Sequence, residues 1–229
     1  MAFVRSILGF PNDRLCTEVE AILNAALEYA GGEFAEKLKV AYVPSSTSGE
    51  GFVMLYYKDD EPTTSNYLFG FIAFGGTYGQ IAANYTDTGN GIRVETRYED
   101  TVANIVATKH GIAIYKGIGS QTVSVGILTL DNHGEFVAVL SGPPNSNPVV
   151  MPRNDSYVTT QYPAATSTAF GCTSLSYIPV PTYDGTPHYL PQLAYANATQ
   201  YIMNGPVLMG SKIWYCIAGA FYLYDGEQE

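Results

Sequence analysis

Along most of this chain the apolar residues come in short runs broken by Gly, Asn, Asp and Pro, and one stretch departs from that pattern. Over Asn12–Ala30 the positions Leu15, Val19, Ile22, Leu23, Ala26 and Leu27 recur at i, i+4, i+7 and i+8, the spacing of one face of an α-helix. Asn12 or Asp13 can cap its start, Glu18 and Glu20 lie near the positive end of the helix dipole, and Gly31 and Gly32 supply a stop. The apolar stripe of this single helix must lie on the β portion of the chain or on a neighbouring subunit. Residues 34–43 form a mixed stretch that can add a turn of helix and a strand.

Beyond it the short-run pattern is that of strands. Candidates are 51–58, 67–74, 80–85, 91–98, 103–108, 112–115, 122–130, 135–141, 207–209, 212–217 and 221–224. Eleven strands after one helix predict a mainly β (α+β) fold, an antiparallel β-sandwich or barrel-like domain, and not an alternating α/β fold. The organisation reads as an N-terminal helical segment over 1–43, a β region over 44–141, an extended loop or arm rich in Pro, Ser and Thr over 142–191, and closing β-hairpins of the same domain over 192–229. Loops of that length in compact domains are usually arms, binding loops or surfaces that another chain covers.

Two hairpins stand out. "VSVGILTLDNHGEFVAVLS" places Asp131, Asn132, His133 and Gly134 between two apolar strands, residue types that tolerate the backbone of a tight turn. "GPVLMGSKIWYCIAGAFYLYDG" reads as a three-strand meander turning at Gly210-Ser211 and Ala218-Gly219. In its middle strand Ile213, Tyr215 and Ile217 share one face, and Trp214 and Cys216 the other. Both faces are apolar, so this terminal hairpin is expected to be buried on both sides, closing a domain or docking into a partner.

Composition narrows the function classes. A hydrophobic fraction of 46% against 14% charged residues belongs to a folded chain. A net charge of −10, from 21 acidic and 11 basic residues, opposes binding to nucleic acid and to anionic lipid. The longest apolar run, 213–224, is too short for a membrane-spanning helix, and the N-terminus is a poor signal peptide, so the expectation is a soluble protein without membrane insertion, made in a cytoplasm. Nineteen tyrosines suit strand packing and contact surfaces alike.

Candidate chemistry is sparse. Cys16, Cys172 and Cys216 show no CxxC pair and read as buried free thiols; His110, His133 and His188 share no metal-ligand spacing, and the first two sit beside Gly in turns. "GIGSQT" at 117–122 lacks the third Gly of a dinucleotide fingerprint, and a strand follows where a helix is needed. Asp59, Asp60, Glu61, Glu99, Asp100 and Asp184 are glycosidase carboxylates by type only, and "DTGNG" at 87–91 lacks the acidic alternation of a calcium loop. These features predict no enzyme, no cofactor and no metal.

The two hairpins carry a resemblance. "ILTLDNHGEFVAVLS", the Pro, Ser and Thr-rich stretch after it, and the closing "KIWYCIAGAFYLYDGE" look like virion structural proteins of tailed bacteriophages and prophages, especially of Gram-positive gut hosts. The resemblance covers 103–229 at most. It implies a non-enzymatic subunit of the tail, baseplate or neck, acting in many copies through contacts with itself and with neighbouring virion proteins. It places the chain in the virion after synthesis in the host bacterial cytoplasm. Trp214, Tyr215, Phe221, Tyr222 and Tyr224 are the candidate interface and closure residues. Tyr183, Tyr189 and Tyr195 are candidates for arm contacts or for stacking on a host cell-surface glycan. The alternative reading is a receptor- or glycan-binding adhesin, or a capsid decoration protein, of the same kind of particle.

Overall fold

The computed structural model describes residues 1–8, 12–45, 50–74, 78–84, 91–97, 101–116, 124–141, 149–152, 176–180, 188–195, 204–217, 219 and 221–227. A strand β1 (Phe3–Leu8) precedes helices α1 (Asn12–Ala30) and α2 (Gly32–Lys37). There follow β2 (Leu38–Pro44), β3 (Glu50–Tyr57), β4 (Phe69–Phe74), β5 (Tyr78–Asn84) and β6 (Gly91–Arg97). The next run is β7 (Thr101–Thr108), β8 (Gly111–Lys116), β9 (Ser124–Leu130), β10 (Phe136–Ser141) and β11 (Val149–Pro152). Last come β12 (Ser176–Val180), β13 (His188–Tyr195), β14 (Gly205–Met209), β15 (Lys212–Ile217) and β16 (Phe221–Glu227).

All the described strand pairs are antiparallel, and the fold is mainly β with an N-terminal helix, as the sequence predicts. The strands form three sheets: an N-terminal one in the order β2-β3-β4-β5-β6, a six-stranded one in the order β1-β7-β8-β9-β10-β11, and a C-terminal one in the order β12-β13-β16-β15-β14.

The six-stranded sheet lies in the middle, and its period-two alternation divides the core. Ile105, Ala107, Ile112, Ile114, Leu128, Phe136, Ala138 and Leu140 face a cluster with α1 and the N-terminal sheet. Val106, Ala113, Tyr115, Val125, Ile127, Val137 and Val139 face the other way, onto Leu190, Leu193, Tyr215, Ile217, Phe221 and Leu223 of the C-terminal sheet. The apolar stripe of α1 (Cys16, Val19, Leu23, Ala26, Leu27 and Ala30) is buried in the first cluster, so the helix lies on the β portion of its own chain. Gly31, at φ 63°, ends α1 and lets α2 begin at once.

Two features depart from the sequence reading, and one between them agrees with it. Residues 3–8 form an extra strand on the edge of the middle sheet, with Phe3 opposite Ala107 and Ile7 opposite Ala103; its partner is distant in sequence, so no hairpin signal marks it. Residues 34–43 resolve into α2 and β2, the helical turn and strand expected there. The stretch 142–191 contains β11, β12 and the start of β13.

Layer spacing sets a local demand at Gly126 on β9. A Cβ there would meet Ile81 Cγ2 at 2.5 Å and Phe69 Cε2 at 2.7 Å, both from the N-terminal sheet. Gly126→Ala is therefore expected to cost about 1–3 kcal/mol through overpacking, read as a lower urea midpoint with unchanged slope. An unchanged midpoint would mean that the two sheets can part at no cost.

Candidate functional site

Successive antiparallel strands bring the β7–β8 and β9–β10 turns to one end of the middle sheet. The start of β13 reaches the same end, because His188 docks on the β9–β10 turn. All three histidines of the chain are gathered there.

Asp131 organises the β9–β10 turn. Its side chain is 1% exposed, and Oδ1 accepts the backbone N–H groups of His133 at 2.8 Å and Glu135 at 2.9 Å. The backbone N–H of Asp131 donates to Glu135 C=O, and that of Gly134 to Asp131 C=O, closing the turn. The other carboxylate oxygen, Oδ2, lies 2.5 Å from His188 Nδ1. Next to it Asn132 N–H donates to Tyr189 C=O at 3.0 Å, and Tyr189 N–H donates to Asn132 Oδ1 at 2.9 Å. The His133 ring stacks on His188 with centroids 4.1 Å apart. Four contacts thus clamp the start of β13 to a turn of the middle sheet. With the carboxylate accepting at Nδ1, a neutral His188 leaves Nε2 as its basic nitrogen. The arrangement can hold a strand, orient a ring and take up protons.

His110 sits on the β7–β8 turn, where its N–H donates to Thr108 Oγ1 and its carbonyl accepts from Thr129 Oγ1 on β9. Its ring lies 4.9 Å from that of Tyr224, and burial pushes its pKa below the ordinary imidazole value against the opposing pull of Asp225. Beside it Lys109 Nζ donates to the Tyr29 carbonyl in the last turn of α1, a favourable place for a cation, and lies 4.9 Å from the Tyr29 ring centroid. Arg5 over Phe3 and Lys212 over Tyr224 repeat the cation and ring pairing nearby.

The candidates from the terminal hairpin are placed as follows. Phe221 and Tyr215 pack toward the middle sheet, while Trp214 and Tyr222 pack on the opposite face with Ala194 and Cys216. The hairpin is buried on both faces, and β16 is the central strand of its sheet. The Tyr115 hydroxyl donates to Tyr215 across the layers, and burial raises both phenol pKa values. Tyr224 makes an edge contact with Trp214 at 5.4 Å. Tyr195 packs on Phe221, whereas Tyr189 is 42% exposed at the clamp, so these two do not share a platform; Tyr183 lies outside the described residues.

Cys16 and Cys216 are buried and in no disulfide among the described residues, and Cys172 lies outside them. Asp59, Asp60 and Glu61 follow β3 in a turn in which Asp60 N–H donates to Tyr57 C=O. Glu99, Asp100, Asp184, the 117–122 stretch and 87–90 fall outside the described residues. No group of three or more His, Cys, Asp or Glu that could hold a metal ion occurs among the described residues. The clamp itself escaped the sequence reading: "DNHG" announces the turn and nothing pairs it with a residue 57 positions later.

Compared with models of protein families, with curated proteins and with solved structures, the chain matches none.

His110 gives the site a testable pH dependence. Its folded-state pKa is depressed, so the unfolded chain takes the proton first. The stability it contributes is intact above about pH 6.5, the ordinary imidazole value, and is lost as the pH falls through the lower folded-state value. The drop in urea midpoint between pH 7.5 and 5 should therefore be smaller in His110→Phe, which keeps a ring against Tyr224 and cannot titrate. The same drop in both proteins would clear His110 of any part in it.

Proposed function

We propose that this chain is a non-enzymatic structural subunit of a tailed-bacteriophage particle, in its tail, baseplate or neck, working through contacts with copies of itself and with neighbouring virion proteins. The resemblance over 103–229 supplies the kind of particle. The observation that carries the mode of action is where the exposed large apolar side chains lie.

Val4 on β1 is 36% exposed, Tyr42 on β2 43%, and Leu208 on β14 53%. Each stands on an edge strand, one in each of the three sheets; the other exposed large hydrophobics among the described residues are Met1, ahead of β1, and Tyr189, on the interior strand β13. An edge strand presents unpaired backbone N–H and C=O groups, and edges of soluble proteins are normally protected by charge, proline or a cover. Here Arg5, Lys39 and Pro206 give partial protection beside apolar side chains left in water. That combination suits strand addition or edge docking by another chain, with backbone hydrogen bonds giving affinity and the apolar side chains giving register.

A glycan-binding adhesin is the second reading, favoured by the exposed Tyr189 ring beside His188 and His133. Sugar rings stack on exposed aromatics flanked by polar groups.

Light scattering over a dilution series tests the first reading. The purified chain should show a discrete oligomeric mass, and Tyr42→Lys with Leu208→Lys should lower it while circular dichroism stays unchanged. A monomer at every concentration would refute homo-oligomeric assembly. On the adhesin reading, Tyr189→Ala should abolish glycan or cell adsorption and leave the mass unchanged.

A further inference from the structure

The clamp around Asp131 joins two parts of unequal rigidity. On one side is a hairpin turn fixed by its own hydrogen bonds to Asp131 and continuous with two strands of the middle sheet. On the other is the front half of β13. Its backbone register is revealing: Val180, Pro179 and Ile178 of β12 lie opposite His188, Tyr189 and Leu190, and the pairing then jumps to Tyr177 opposite Ala194. The partner on the other side, β16, begins only at Leu193. Among the described residues, backbone pairing of the front half is therefore with β12, an edge strand, and with Asn132 of the clamp.

The clamp holds two imidazoles face to face at 4.1 Å, one of them against a buried carboxylate. We propose that this ring pair is a proton-operated latch on the front half of β13: it holds with one imidazolium in the pair and opens when both rings are charged. A charge on His188 turns its hydrogen bond with the Asp131 carboxylate into an ion pair and strengthens it. A charge on His133 as well sets two cations face to face, with the Asp131 carboxylate already engaged by His188 and two backbone N–H groups.

Other titratable groups of the same turn and strand are Glu135, whose charge acts on Lys37 of α2, and Tyr189 of β13. The turn is fixed by its own hydrogen bonds, and among the described residues the front half of β13 pairs with an edge strand, so the strand is the side that yields. Its opening would expose Leu190, which is buried against the middle sheet. The device rests on this geometry alone and holds whether or not the chain belongs to a virus particle.

Hydrogen exchange read by mass spectrometry tests it, with rates normalised to intrinsic exchange at each pH between 7.5 and 4.5, a range that spans ordinary imidazole titration near about 6.5. In the unmodified protein, protection of residues 188–190 should fall at least about tenfold as the pH is lowered. Peptides from β8 and β9 serve as the reference, because His110 acts on the stability of the whole fold. Their protection should fall less than that of residues 188–190. His133→Asn, at an exposed position, removes the second charge and should keep 188–190 protected; His133→Lys makes that charge permanent and should move the loss to higher pH. The latch is refuted by pH-independent protection, by an equal loss in His133→Asn, or by a loss that runs in step with β8 and β9.

Discussion

The structure depends on one constraint: a six-stranded antiparallel sheet that is apolar on both faces and so needs two covers. Antiparallel sheets commonly leave one face in water and show it as alternation of apolar and polar residues. The strands β7 to β10 do not. In "GIAIYK" and "FVAVLS" the first five residues are all buried, and the alternation sorts them between two cores instead of between core and solvent. The rest of the described chain answers that demand. The N-terminal sheet and α1 cover one face and the C-terminal sheet the other, so neither end of the sequence is an appendage to an independent middle.

That arrangement explains the aromatic character of the terminal hairpin. A cover layer has to be apolar toward the middle sheet, and its central strand β16 is apolar on its other face too, where Tyr222 lies with Trp214 and Cys216. Burying Phe221, Tyr222 and Leu223 together concentrates a large share of the outer layer's stabilisation in three residues, since each large side chain in a core is worth about 2–5 kcal/mol against its truncation. Several buried polar groups are bonded across or beside the layers: Thr129 donates to the His110 carbonyl, Tyr115 to Tyr215, and Asp131 accepts from the turn and lies against His188. Unpaired, such groups would cost about 1–3 kcal/mol each, so these contacts help fix how the layers sit as much as apolar burial does.

Much of this was legible in sequence, and what was legible was local. The helix announced itself by six apolar positions at helical spacing and a glycine stop, and the two hairpins by turn chemistry between apolar runs. The two-sided burial of β15 followed from reading both of its faces. What escaped had its partner far away. The strand Phe3–Leu8 pairs with residues about a hundred positions on, and Asp131 meets His188 across 57. A side chain that bonds its own turn looks complete in sequence: Asp131 satisfies "DNHG" with one oxygen, and only the fold shows where the other is aimed. The histidines share no spacing in sequence, yet topology gathers them, because alternate turns of a meander fall on one side.

Charge and edges act over different distances in the proposed assembly. A net charge of −10 repels other copies, but in physiological salt that repulsion decays over a Debye length of about 8 Å. Strand addition works inside that distance, where backbone hydrogen bonds and the side chains of Tyr42 and Leu208 meet their partners. Repulsion therefore sets how often copies approach, and the match between edges sets whether they stay. Since each of the three sheets offers an edge of this kind, the copies need not meet in a symmetric pair. Contact between two different edges is heterologous, and heterologous contacts generate rings where the rotation closes and filaments where it does not.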